Sequence, residues 1–111
     1  MAQFEARTSS GDGRVTVVLS GECDLAVREE LIAVLTEAAR SAPVVVVDLG
    51  GLTFMDSSGI HGLVTAHRSA RDGGGCLYAV NATGVVAQVL DLTGVGELLR
   101  APADGSRQSD G

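Results

Sequence analysis

The residues best suited to chemistry lie in one run, Thr53-Phe54-Met55-Asp56-Ser57-Ser58-Gly59-Ile60. The run follows a very apolar segment, Pro43-Val44-Val45-Val46-Val47-Asp48-Leu49, and leads into residues with helical spacing. This pattern reads as a buried strand, a short connection and a helix that opens on two serines. Unpaired backbone N–H groups and the positive end of the helix dipole favour added negative charge at such a terminus. A serine hydroxyl there is well placed to receive a phosphate. The plainer alternative gives Ser57 and Ser58 a capping role alone, since serine is common at helix starts. Three features favour a site. Open α/β sheets place ligands at the carboxyl ends of their strands. Gly59 and Gly62, in the first turn, leave room for another chain to approach the backbone. Phe54 and Met55 offer apolar surface beside the serines, as a docking face would.

A catalytic serine is the competing chemistry. His61 lies four residues after Ser57 and could share its helix face. A nucleophilic serine also needs an acid that orients its base, and an oxyanion hole. Asp56 is adjacent to the serine rather than behind the histidine, and the Gly-x-Ser-x-Gly pattern of a nucleophile elbow is absent. His61 therefore reads as a surface residue, and His67 as a side chain at the edge of a helix–sheet contact. Gly73-Gly74-Gly75 is no phosphate loop, because no Gly-Lys-Ser/Thr follows it. Cys23 and Cys76 have no Cys or His partner at metal-ligand spacing. Two reduced thiols, with no metal and no cofactor, are expected.

Asp24, in Gly21-Glu22-Cys23-Asp24, is the second residue of interest. It is a good N-cap for a helix from about Leu25 to Arg40, with Val27, Leu31, Val34, Leu35 and Ala38 as the inward stripe. If the strands before Asp24 and Asp56 are parallel, both loops lie at one edge of the sheet. Asp24 then falls near Ser57.

The elements that must hold these residues follow from the pattern. Phe4 to Thr8 and Arg14 to Leu19 flank Ser10-Gly11-Asp12-Gly13, which predicts an antiparallel hairpin. Ser20 to Cys23 is expected to break the second strand. Val44 to Leu49 is apolar at nearly every position, as a central parallel strand is. A second helix is predicted from about Ser58 to Asp72. Its inward stripe is Ile60, Leu63, Val64, His67 and Ala70, and its outward stripe includes Ser58, His61, Gly62, Thr65, Ser69 and Asp72. Cys76 to Val80 is the next parallel strand. Thr83 opens a third helix with Val86, Val89, Leu90 and Leu92 inward and a stop at Thr93-Gly94. Leu98-Leu99 forms a short edge strand or a final turn. Residues 101–111 are small and polar, and a disordered tail is expected after a domain spanning residues 1–100.

Composition narrows the function. The chain has 111 residues, which suits one domain. Its net charge of -6 argues against nucleic acid or an anionic membrane surface as the main partner and favours a partner with a basic face. With no Trp, one Tyr and two Phe, no aromatic platform exists for stacking bases. The N-terminus lacks a charged region followed by an apolar run, and no apolar run could span a bilayer. A cytoplasmic monomer is expected.

The chain resembles the anti-sigma factor antagonists, bacterial proteins of the STAS-domain family. Asp56-Ser57-Ser58-Gly59 after the apolar strand is similar to the family's phosphorylation site. Gly21-Glu22-Cys23-Asp24 is similar to its Gly-Glu-Leu-Asp signature, and Thr93-Gly94-Val95 to its late Thr/Ser-Gly-Leu turn. His61 stands where relatives often have a small residue. The resemblance covers roughly Phe4 to Arg100. It implies an α/β fold with a small mixed β-sheet, hairpin first and parallel strands after, flanked by helices. It also implies a mechanism. The unphosphorylated protein binds an anti-sigma factor serine kinase and so frees a sigma factor. That kinase phosphorylates Ser57, and a PP2C-type phosphatase reverses the step. The partner surface would then include Asp24, Phe54, Met55, Asp56, Ser58, Gly59, His61 and Gly62. The chain would be a substrate, not an enzyme. The alternatives are a non-switching STAS adaptor, such as a scaffold or transporter-associated subunit, and a small-molecule or nucleotide-sensing module.

Overall fold

In a computed structural model of the chain, residues 3–100 are described, and the predicted tail of residues 101–111 lies outside them. The hairpin forms as the Asp-Gly signal predicts. Strands β1 (Glu5–Gly11) and β2 (Arg14–Cys23) pair antiparallel, with Gly11 opposite Arg14. Asp12 and Gly13 fill the two-residue turn with φ of 58° and 75°. Positive φ at both positions is what a tight turn between right-twisted strands requires.

After β2 the chain makes a short 3-10 turn (Leu25–Val27) and then helix α1 (Arg28–Ser41). Strand β3 (Val44–Met55), helix α2 (Ser57–Asp72) and strand β4 (Cys76–Val80) follow. Helices α3 (Gly84–Thr93) and α4 (Val95–Leu98) close the described chain. The sheet order is β1-β2-β3-β4, with β2, β3 and β4 parallel. The mixed sheet is the one expected.

One face of this sheet makes the core. Val15, Val17 and Leu19 of β2 join Val45, Val47 and Leu49 of β3 and Leu77 of β4. Leu31 and Leu35 of α1, Leu63 of α2, and Val86 and Leu90 of α3 pack into the same cluster. Val46 alternates to the other face; it is only 8% exposed yet stands outside that cluster. Val34, Val64 and Val89 sit at the margin of the core.

Several boundaries differ from the sequence reading. Ser20 to Cys23 does not break β2, and β3 does not stop at Leu49. The two strands stay paired as far as Cys23 opposite Met55, through register shifts at Val18/Ser20 and Gly21/Glu22. A bulge lets glycines and polar residues remain in a ladder that their composition would end. Gly21, at φ 92°, lies so close to the Gln3 carbonyl that a Cβ could not fit. Leu92 is not inward but 86% exposed, because it sits on the opposite side of α3 from Leu90. Gly62 is not outward but buried. Leu99 follows a final helical turn, is buried, and its carbonyl accepts from the Ala79 N–H at 2.8 Å on the β4 edge.

Candidate functional site

The ladder brings two capping aspartates together. Cys23 and Met55 are paired neighbours, so Asp24 and Asp56 each leave the carboxyl end of adjacent parallel strands. The Asp56 N–H donates to the Cys23 carbonyl at 3.2 Å and ties the two exits. Asp24 accepts from the Ala26 N–H at 3.1 Å at the mouth of the 3-10 turn. Asp56 accepts from the Ser58 and Gly59 N–H groups at 2.9 and 3.3 Å at the mouth of α2. Each carboxylate satisfies donors that a helix start otherwise leaves open.

The cap of α2 is therefore Asp56, and neither serine is needed for that task. Ser57 is the first residue of α2 and is exposed. Among the described residues its hydroxyl has no intramolecular hydrogen-bond partner. Ser58 is half-buried. The more accessible hydroxyl is the one directly after the aspartate.

The docking face needs three corrections. Met55 is 1% exposed and belongs to the core. Successive strand residues point to opposite faces, and it is Phe54, 41% exposed, that faces out. Gly59 is buried as well: a Cβ there would lie 2.9 Å from Cys23 Sγ and 2.9 Å from Met55 Cγ. A Cβ on Gly62 would lie 2.9 Å from Leu31 Cδ2 of α1. Both glycines make room for the protein's own β2 end and α1, not for a partner. The apolar rim is completed by a residue that sequence reasoning missed, Leu25, which is 66% exposed. Its signal was present: it follows a cap and falls before the inward stripe that begins at Val27.

His61 is exposed, as predicted, and its Nδ1 accepts from Arg28 Nη1 at 3.3 Å. His67 is buried, and its Nδ1–H donates to the Leu77 carbonyl at 3.2 Å, which fixes the tautomer. Cys23 lies beneath the site with no exposure. Burial first, then the charges of Asp56 and Asp24, push its thiol up to about 11. A thiol so raised stays protonated and unreactive at neutral pH. Among the described residues no three His, Cys, Asp or Glu side chains cluster to hold a metal ion. A groove of about 480 Å³ between β1 and α1, lined by Ala6, Val15, Val34 and Glu37, includes none of the site residues.

Comparison with known proteins decides the family. Residues 6–100 match the family described as "Mlab, STAS domain". The chain belongs to the STAS-domain family. Its fold is shared with the anti-sigma factor antagonist SpoIIAA in its unphosphorylated form, at 23% identity and a TM-score of 0.73, over 97% of this chain and 94% of that one. An anti-sigma factor antagonist from Mycobacterium paratuberculosis aligns at 22% identity and a TM-score of 0.79, over 97% and 93%. A sulfate transporter family protein from Wolinella succinogenes aligns at 20% identity and a TM-score of 0.69, over 82% and 75%. These identities speak for the fold. Within this STAS domain, no described helix is long and apolar enough to cross a membrane.

Proposed function

We propose that this STAS domain is an anti-sigma factor antagonist whose binding is switched off by phosphorylation of Ser57. The observation that carries this reading is the division of labour at the α2 entrance. Asp56 does the capping, so Ser57 is left as an exposed hydroxyl with no structural duty at a terminus that tolerates negative charge. The chain is the substrate here and has no catalytic role. His61, the candidate base for Ser57, has its Nδ1 engaged by Arg28. The partner, a serine kinase that is itself the anti-sigma factor, supplies the chemistry. The bond from the ATP γ-phosphorus to ADP breaks, the bond from that phosphorus to Ser57 Oγ forms, and the hydroxyl proton passes to a base of the kinase. A PP2C-type phosphatase returns the hydroxyl. The setting is the bacterial cytoplasm.

The unmodified docking face combines Leu25 and Phe54 with Asp24, Ser57 and His61. Phosphate adds about -1.5 to -2 charges at its centre. Juxtaposed like charges across an interface cost several kcal/mol, enough to abolish micromolar binding. Incubation with the cognate kinase and ATP, followed by mass spectrometry, tests the assignment. Phosphate should appear on Ser57 and vanish in Ser57→Ala. Ser57→Ala should still bind the partner, and Ser57→Glu should bind at least about tenfold more weakly, a loss of roughly 1.4 kcal/mol. Modification at Ser58 would overturn the assignment.

A second reading is a transporter-associated STAS subunit that does not switch. The fold shared with a sulfate transporter family protein favours it. Failure of any kinase in a native lysate to label Ser57, with capture of a transporter component instead, would decide for it.

A further inference from the structure

A phosphate on Ser57 would enter a neighbourhood that is already acidic. Asp24 and Asp56 cap the two helical starts, Glu22 is exposed on β2, and Glu29 is exposed on α1. Arg28 is the cation that the structure brings to this place. It is the first residue of α1, and its side chain crosses to α2. Its Nη1 donates to His61 Nδ1 at 3.3 Å, and its Cγ lies 3.6 Å from where a Cβ on Gly62 would stand. Its Nη2 donates to Glu29 at 3.0 Å, and its Nε is buried with no hydrogen-bond partner among the described residues. His61 lies one helical turn after Ser57. A helical side chain leans toward the N-terminus and covers the turn before its own Cα. His61 thus shares the helix face of Ser57, and the guanidinium bonded to its imidazole reaches α2 from α1 beside Gly62.

We propose that Arg28, held in place by His61, is the intramolecular counter-ion of a phosphate on Ser57. The proposal rests on the reading of Ser57 as phosphoacceptor. Guanidinium is always charged and presents paired donors that match phosphate oxygens. Its present partner, Glu29, is an exposed carboxylate, and such pairs are weak. A dianion displaces Glu29 readily. Phosphorylation then has two consequences at once: it adds negative charge to the docking face, and it engages the basic side chain beside that face.

The test installs phosphoserine at position 57 of the full chain by genetic code expansion, so no kinase is required. The ³¹P resonance is followed through a pH titration. Phosphoserine takes up its second proton near about pH 6, and an adjacent positive charge lowers that midpoint. The midpoint should be lower in the wild-type background than in Arg28→Gln by about 0.5 pH or more, with part of the difference recovered in Arg28→Lys. Glu22, Asp24, Asp56, Glu29, His61 and Cys23 are present in both backgrounds, so the difference reports the loss of Arg28. Equal midpoints would overturn the proposal. His61→Ala, at an exposed position and with no acceptor for the guanidinium, gives a second arm should Arg28→Gln not fold. Release of Arg28 should raise the midpoint there, and an unchanged value would also overturn the proposal. Absence of phosphate on Ser57 after kinase treatment of the native chain would instead remove the functional reading and leave the titration result standing.

Discussion

The two helix entrances of this domain begin alike and end differently. Each starts from a paired strand end and is capped by an aspartate. Asp24 holds a single N–H and opens a short 3-10 turn whose three residues are not buried. Asp56 holds two N–H groups and opens a helix of 16 residues. Beneath the second entrance lie buried Gly59, Ile60, Gly62 and Leu63. Beneath the first, burial begins only at Leu31. The same capping chemistry therefore yields a soft lip on one side and a hard one on the other. Ser57 is on the hard side, where a new charge changes the surface without loosening what lies under it.

Variants can break this contrast. The largest effect should come from Gly59→Val, whose side chain would collide with Cys23 and Met55. Overpacking at a rigid place should cost about 3 kcal/mol in denaturant unfolding. An effect near zero would mean that the α2 entrance is as yielding as the first. Next, Asp56→Ala should cost about 2 kcal/mol and Asp24→Ala about 0.5 kcal/mol, the two ends of the range for lost caps. Equal losses would erase the distinction between the entrances.

The buried thiol gives a third test. The ordinary value for Cys23 is 9.0, and the folded protein raises it to about 11. Folded protein then holds the proton that unfolded chain releases, so stability falls as pH rises from about 9 to about 11. At pH 10 the loss should be about 1 kcal/mol relative to pH 8. Cys23→Ala, unfolded in parallel, should lack that part of the alkaline slope. The smallest change in stability should come from Leu25→Ala, within about 0.5 kcal/mol, as at other exposed positions. Under the proposed function its affinity for an anti-sigma factor should fall all the same in a titration, because that reading assigns the soft lip to contact rather than folding.

The sequence made the site's frame legible for a physical reason. Parallel strands followed by capped helices must deliver their caps to one edge, so the pattern alone places Asp24 and Asp56 together. Their exact neighbours could not. Phe54 and Met55 differ only in strand parity, and a glycine-bearing segment with two register shifts hides that parity. Periodicity marks only the stripe of α2 that meets the sheet, whereas Gly62 is buried because the helix also packs on α1. Leu92 looked inward because hydrophobicity alone does not say which side of a short helix meets the core. The Arg28–His61 bond joins residues 33 apart in sequence, and no local pattern reports it.

The hydrogen bond from Ala79 to Leu99 has a consequence for solubility. β4 is the outer strand of the sheet on that side, and an open strand edge is a template on which another chain can add. The buried Leu99 and the turn that precedes it occupy part of that edge. The last described turn thus works as an end-stop against runaway strand addition. A fragment cut before Val95 would keep Asp24, Asp56 and Ser57 and still lose this protection.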